Sequence, residues 1–204
     1  MNGYKGVNLR DILLDDTLGE SAAKSLLSSF SCPLNPDVEY FLKNVAIEFS
    51  RQSISSTYLI MASFRGTYVL AGYFTLANKI FCIDKQCLPN RKWRSRLSKF
   101  GQFDNEIQRY TISAPLIGQL GKNYANSYDK LITGDELLKL ALDKVREMQN
   151  IVGGKIVYLE CEQKDSLIEF YSRNGFVNFG LRSLDKDETD KLSGHYLVQM
   201  LRYM

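Results

Sequence analysis

One histidine, His195, stands in the whole chain of 204 residues. A Ser-His-Asp triad, a Cys-His pair or a histidine metal site would have to use it, and it lies in "SGHYLVQMLRYM", which reads as a terminal strand. No CxxC or HExxH pattern occurs, and Cys82-x4-Cys87 has no second ligand pair, so no metal site is expected. No apolar run approaches the roughly 20 residues of a membrane span, so no membrane is expected either. The segment "MNGYKGVNLRDILLDD" lacks the basic-then-apolar pattern of a leader. Cys32, Cys82, Cys87 and Cys161 are therefore expected as free, buried thiols of a cytoplasmic protein. Internal repeats and low-complexity linkers are also missing, which favours one domain at this length.

What is present reads as a globular α/β chain. Hydrophobic residues make up 45% and charged residues 24%, enough of each for a packed core and a solvated surface. The net charge of +3 is too small to make the whole chain a nucleic-acid binder. Its distribution carries more: residues 85–103, "KQCLPNRKWRSRLSKFGQF", hold six Lys or Arg and no acid. Charge clustering of this kind suits a solvated loop as well as a phosphate track.

The periodicity gives an element order. A helix is expected around Ser21 to Phe30, while the rest of residues 1–34 is ambiguous. "NPDVEYFLKNVAIEFS" predicts a helix capped by Asn35, with Pro36 in its first turn and Val38, Phe41, Leu42, Val45 and Phe49 on one face. "STYLIMAS" and "TYVLAGYFTLAN" predict a hairpin turning at Arg65-Gly66. "RKWRSRLSKF" suits a short helix and "QRYTISAPLIGQLG" a strand. A polar loop then leads to a helix from Gly134 to about Gln149. "GGKIVYLECE" reads as a strand covered on both faces. A helix from Asp165 to Arg173 stops at Asn174-Gly175, and strands near 176–180 and 194–203 close the chain. This is a mixed central β-sheet with helices on both faces.

Two places could carry chemistry. The junction at Thr133-Gly134 exposes the unpaired N–H groups of a helix start, a common phosphate seat that is empty in most proteins. Tyr171, in "EFYSRNGF", is either a core side chain or a proton donor. Glu160 and Glu162 end a strand and are either solvated or able to take a proton.

Taken together, "LIGQLGKNY", "KLITGDELLKLALDKV" and "IVYLECEQKDSLIEFYSRNGF" resemble the GCN5-related N-acetyltransferase family. They are similar to its strand, pyrophosphate loop and helix, and to the helix ending in its F-Y-x-x-x-G-F pattern. Upstream, "EYFLKNVAIEFSRQSISSTYLIMAS" and "LAGYFTLA" resemble the branch that includes toxins acetylating aminoacyl-tRNA. About residues 37–180 are covered. The resemblance implies an acyl-CoA fold for a single domain, 1–204, with 1–34 a variable N-terminal extension and 81–108 a basic insertion.

It also implies roles. The backbone of Leu120, Gly121 and Lys122 would hold the pantetheine arm of acetyl-CoA, and Lys130, Leu131, Ile132, Thr133, Gly134 and Asp135 its pyrophosphate. Ser166 and Phe170 would touch the cofactor, and Tyr171 would protonate the departing thiolate. Arg91, Lys92, Arg94, Arg96 and Lys99 would hold tRNA phosphates, Trp93 would stack on a base, and Glu160 would face the amine. A homodimer is compatible with this reading. The loop departs from the family's (Arg or Gln)-x-x-Gly-x-(Gly or Ala): aligned on Gly134 it reads Asp129-Lys130-Leu131-Ile132-Thr133-Gly134. Three functions follow as alternatives. They are acetylation of aminoacyl-tRNA, acetylation of a protein lysine or small-molecule amine, and a non-catalytic CoA-binding or regulatory module with a degenerate loop.

Overall fold

The computed structural model describes residues 3–186, 192 and 194–204. Its first half starts with a short strand, β1 (Tyr4–Asn8), whose last residue caps helix α1 (Leu9–Leu14) through the Asn8 side chain. Helix α2 spans Gly19–Ser28, two residues earlier than expected at each end. Asn35 caps α3 (Pro36–Tyr40) by accepting from the amides of Asp37 and Val38, and Pro36 sits at its start as predicted. The same helical run passes through a π turn, Phe41–Val45, into α4 (Ala46–Arg51). Strands β2 (Ser56–Phe64) and β3 (Thr67–Asp84) form the hairpin. Arg65 and Gly66 both take positive φ, 50° and 80°, as a two-residue turn with the twist of the flanking strands requires.

The second half begins with α5 (Arg91–Leu97), β4 (Gly101–Asp104) and β5 (Arg109–Lys122). Helix α6 (Gly134–Val152) extends beyond Gln149. Then come β6 (Ile156–Glu162), α7 (Asp165–Arg173), β7 (Val177–Ser183) and β8 (Tyr196–Tyr203). The described residues form an eight-stranded mixed sheet in the order β1-β2-β3-β5-β6-β8-β7, with β4 paired to β5. The pairs β1–β2, β2–β3, β4–β5, β6–β8 and β7–β8 are antiparallel, and β5–β6 is parallel. This is the mixed α/β architecture the sequence predicts. Among the described residues no helix is long and apolar enough to cross a membrane.

The chain forms two compact units, Met1–Ala77 with Gly118–Asp143, and Asn78–Ile117 with Lys144–Met204. The core of the first gathers Leu9, Leu27, Phe30, Val38, Leu42, Leu59, Leu70 and Tyr73. Tyr73 is buried and donates its hydroxyl to the Val38 carbonyl at 2.5 Å, which satisfies the only polar atom of its side chain. The core of the second gathers Phe81, Trp93, Leu97, Ile112, Ile156, Tyr158, Phe179 and Leu201. All four cysteines are free, as expected, but only two of them are buried. Cys32 and Cys161 are buried, whereas Cys82 and Cys87 are exposed, because β3 and the turn after it present these side chains outward.

Gly121 shows how tightly the first unit is packed. A Cβ there would stand 2.4 Å from Val38 Cγ1. Gly72 is similarly confined, since a Cβ on it would lie 2.9 Å from the Gly121 carbonyl oxygen. Gly121→Ala is therefore expected to cost about 1–3 kcal/mol as overpacking. The denaturation midpoint checks this, and an unchanged midpoint would show that Val38 moves aside freely.

Candidate active site

The first unit carries the loop between β5 and α6. Its entrance is fixed by Asn123, which is fully buried. The Asn123 side chain accepts from the amides of Ser31 and Ala125, each at 3.0 Å, and donates to the Leu70 carbonyl at 2.8 Å. Beyond it, Asn126 and Ser127 take positive φ within a 3-10 stretch, Ala125–Leu131. Two side chains hold the loop's carbonyls. Lys122 Nζ donates to Asp129 O at 3.0 Å, and the Tyr4 hydroxyl donates to Leu131 O at 3.0 Å. Ile132 is buried, while Lys130, Thr133 and Asp135 are exposed and Gly134 is half-buried.

Helix α6 starts with a capping box. Thr133 Oγ1 accepts from the Glu136 amide at 3.2 Å, and Glu136 Oε2 accepts from the Thr133 amide and hydroxyl, each at 2.8 Å. These bonds to Thr133, backbone first, lower the Glu136 pKa from its ordinary value. A carboxylate thus already sits on one donor of the proposed pyrophosphate loop. The pattern Thr133-x-x-Glu136 is visible in the sequence, but Glu136 was not among the predicted site residues.

Strand β5 pairs with β6 through only two residue pairs, Leu116↔Tyr158 and Ile117↔Leu159. Between β6 and β8 the ladder runs through all seven residues of β6. Strand β5 continues through Leu120, Gly121 and Lys122 after its last β6 pair. Gly121 is glycine for a packing reason, the Val38 contact, whatever approaches its amide.

The second unit carries α7, which ends as predicted: Gly175 takes φ 82° after Asn174. Tyr171 is 8% exposed, with its ring edge-on to Phe170 at 4.9 Å and to Phe176 at 5.8 Å. Its hydroxyl makes no hydrogen bond with any described residue. Burial first, and the nearby Cys161 thiol second, raise its pKa above the ordinary value of 10.0, so it stays protonated at neutral pH. Phe170 is half-buried beneath the Arg173 guanidinium, 5.1 Å from the ring centroid, and Ser166 is exposed.

The carboxylates of β6 are both engaged. Glu160 accepts from Arg182 Nε and from Gln199 Nε2, each at 2.7 Å. Glu162 pairs with Lys164 at 2.8 Å. A cavity of about 670 Å³ is lined by Glu160, Arg182 and Gln199 together with Phe81, Tyr158 and Phe179.

The basic segment divides into two kinds of residue. Arg91, Lys92 and Lys99 are exposed. The base-stacking role expected for Trp93 does not hold in this conformation. Its ring is 8% exposed in the core of the second unit, because Trp93 and Leu97 form the apolar face of α5. Arg96 likewise has a structural job, lying 5.3 Å from the Trp93 ring centroid and 4.3 Å from that of Tyr203. His195 is exposed and precedes β8 instead of lying within it.

No protein-family model matches the sequence, and no curated protein matches it. Solved structures do match its fold. AtaT complexed with acetyl-methionyl-tRNAfMet has 17% identity and a TM-score of 0.61, over 96% of this chain and 93% of that one. A Tyr-to-Phe mutant of KacT has 15% identity and a TM-score of 0.61, over 96% and 94%. AtaTR bound with AcCoA has 18% identity and a TM-score of 0.56, over 97% and 94%. The chain has the GCN5-related N-acetyltransferase fold that these structures share.

Proposed function

We propose that this chain, acting as one domain over residues 1–204, is an acetyl-CoA-dependent N-acetyltransferase whose acceptor is the α-amine of an aminoacyl-tRNA. The observation that carries this reading is the likeness along nearly the whole chain to AtaT complexed with acetyl-methionyl-tRNAfMet. The bound cofactor would supply the acetyl thioester. Everything else falls to side chains and backbone of this chain.

The residues fit a diphosphate at the start of α6. That helix is long, Gly134 leaves its backbone approachable, and the Thr133 amide already binds an anion, the Glu136 carboxylate. That carboxylate is on a half-buried side chain, and its rotation away frees the donor. The amides of Leu120, Gly121 and Lys122 would hold the pantetheine arm. Tyr171 would give its proton to the leaving sulfur. Its phenol suits this role because it is protonated at neutral pH and hydrogen-bonded to no described residue.

The state of Glu160 and Glu162 favours an α-amine over a lysine. Each carboxylate is held by a cation, so taking a proton from the amine would first break that ion pair. An α-amine, with a reference pKa near 8, has a useful neutral fraction at pH 7 without one, whereas a lysine near 10.4 does not. The Thr133–Glu136 capping box favours a second reading, a module in which the helix start is permanently self-capped.

Thermal unfolding with acetyl-CoA separates the two. At a hundredfold excess over Kd, binding to the folded state adds about 2.7 kcal/mol, which raises Tm by roughly 5–10 °C at this size. Gly134→Glu is expected to abolish the shift by adding bulk and charge at the helix start. No shift at millimolar acetyl-CoA, with no heat in calorimetry, would leave only the self-capped module.

A further inference from the structure

Arg94 is a half-buried arginine whose guanidinium makes no hydrogen bond or ion pair with the described residues, and its Nε is fully buried without a partner. Burying such a donor without an acceptor is costly, and native structures rarely leave one so. Arg94 also lines a cavity of about 470 Å³ with Asp84, Lys85, Gln86, Ile107 and Gln108. The only acid there, Asp84, is taken by Arg109, whose Nε lies 2.7 Å from Oδ1. Lys85 Nζ donates to Gln108 Oε1 at 2.9 Å and lies 5.4 Å from the Phe103 ring centroid. Gln108 is in turn fixed by donating Nε2 to Asn105 O at 2.7 Å. The ammonium has three donors and this contact uses one. The cavity therefore presents a positioned ammonium and an unsatisfied guanidinium fork beside a carboxylate that is already neutralised.

We propose that this cavity is an anion seat for one phosphodiester of a nucleic acid, bound by Arg94 and Lys85. A guanidinium fork matches two phosphate oxygens, and the ammonium adds a point charge. A polymer is favoured over free phosphate because the cations continue past the cavity. Arg91, Lys92 and Lys99 are exposed nearby in sequence, and residues 85–103 contain no acid. The proposal rests on the tRNA-acceptor reading and narrows it. Arg94 and Lys85 bind phosphate, whereas Trp93 and Arg96 hold α5 in place.

The test uses a fluorescently labelled tRNA and the full chain, with binding measured from low to moderate salt. Arg94→Gln and Lys85→Gln are each expected to weaken binding at least fivefold at low salt. Each should also reduce the slope of log K against log salt by about 0.7–0.9, the share of one phosphate. Arg94→Lys, which keeps the charge and loses the fork, is expected to lie between. Lys5→Gln, an exposed site on β1, should change neither quantity. An unchanged slope in both Gln variants overturns the seat, as does a parent protein that binds no tRNA at low salt. If inorganic phosphate raises the parent's Tm but not that of Arg94→Gln, while tRNA binding is the same for both, the seat is for free phosphate and the proposal fails. The acetyl-CoA shift is followed on the same variants. Its absence in all of them sinks the acetyltransferase reading, while the salt slopes still decide the seat.

Discussion

Asn123→Ala is expected to cost about 3–5 kcal/mol, a large part of the 5–15 kcal/mol that holds a typical domain folded. The residue is fully buried, and all three of its side-chain bonds go to main chain. Truncation takes a partner from the amides of Ser31 and Ala125 and from the carbonyl of Leu70 together, at about 1–3 kcal/mol for each buried group left unsatisfied. It also loosens the join in which Asn123 N donates to Ala71 O at 2.8 Å and Tyr124 N to Ser31 O at 2.7 Å. Asn123→Asp is a sharper control. It keeps both acceptor contacts but sets a carboxylate oxygen against the Leu70 carbonyl, so it too is expected to destabilise strongly. Denaturant midpoints of the two variants measure the effect. A loss below 1 kcal/mol in both would mean that water replaces the amide and that Asn123 does not fix the loop.

This residue shows where sequence reading stops. Features whose cause is local were legible. Asn35 caps because a side-chain oxygen reaches amides two and three residues on, Arg65-Gly66 turns because its φ values are positive, and Gly175 ends α7 for the same reason. Features that depend on a distant partner were not. Strand β1 has five residues and is specified by its pairing with β2 from Tyr4↔Ala62 to Asn8↔Tyr58. Strand β4 has four residues and exists through β5. Asn123 looks like any loop asparagine until Ser31 and Leu70 are placed beside it. Trp93 stands among five cations in "RKWRSRLSK" and reads as a surface ring, yet its spacing to Leu97 turns it into the core. Glu136 is the exception, because its Thr-x-x-Glu cap is local and was readable. Its carboxylate competes for the amide that would otherwise attract phosphate.

Tyr171→Phe is expected to slow acetyl transfer by about 100-fold or more, the usual scale of a general acid, while leaving stability almost unchanged. The hydroxyl bonds to no described residue, so its removal breaks no hydrogen bond, and the ring keeps its contacts with Phe170 and Phe176. Affinity for the cofactor should stay within a few fold, because the proton moves only in the transition state. Tyr73→Phe gives the contrasting behaviour. It removes a buried donor to Val38 O, so it is expected to cost about 1–2 kcal/mol, and Tyr73 has no assigned part in transfer. Turnover and melting temperature measured on both variants therefore move in opposite patterns. The raised Tyr171 pKa adds a further check: the alkaline limb of activity attributable to this phenol should lie above pH 10, so the parent should lose no donor on titration from pH 7 to 9. If Tyr171→Phe turns over normally and instead melts lower, the tyrosine is a core residue and the proton reaches the thiolate from elsewhere.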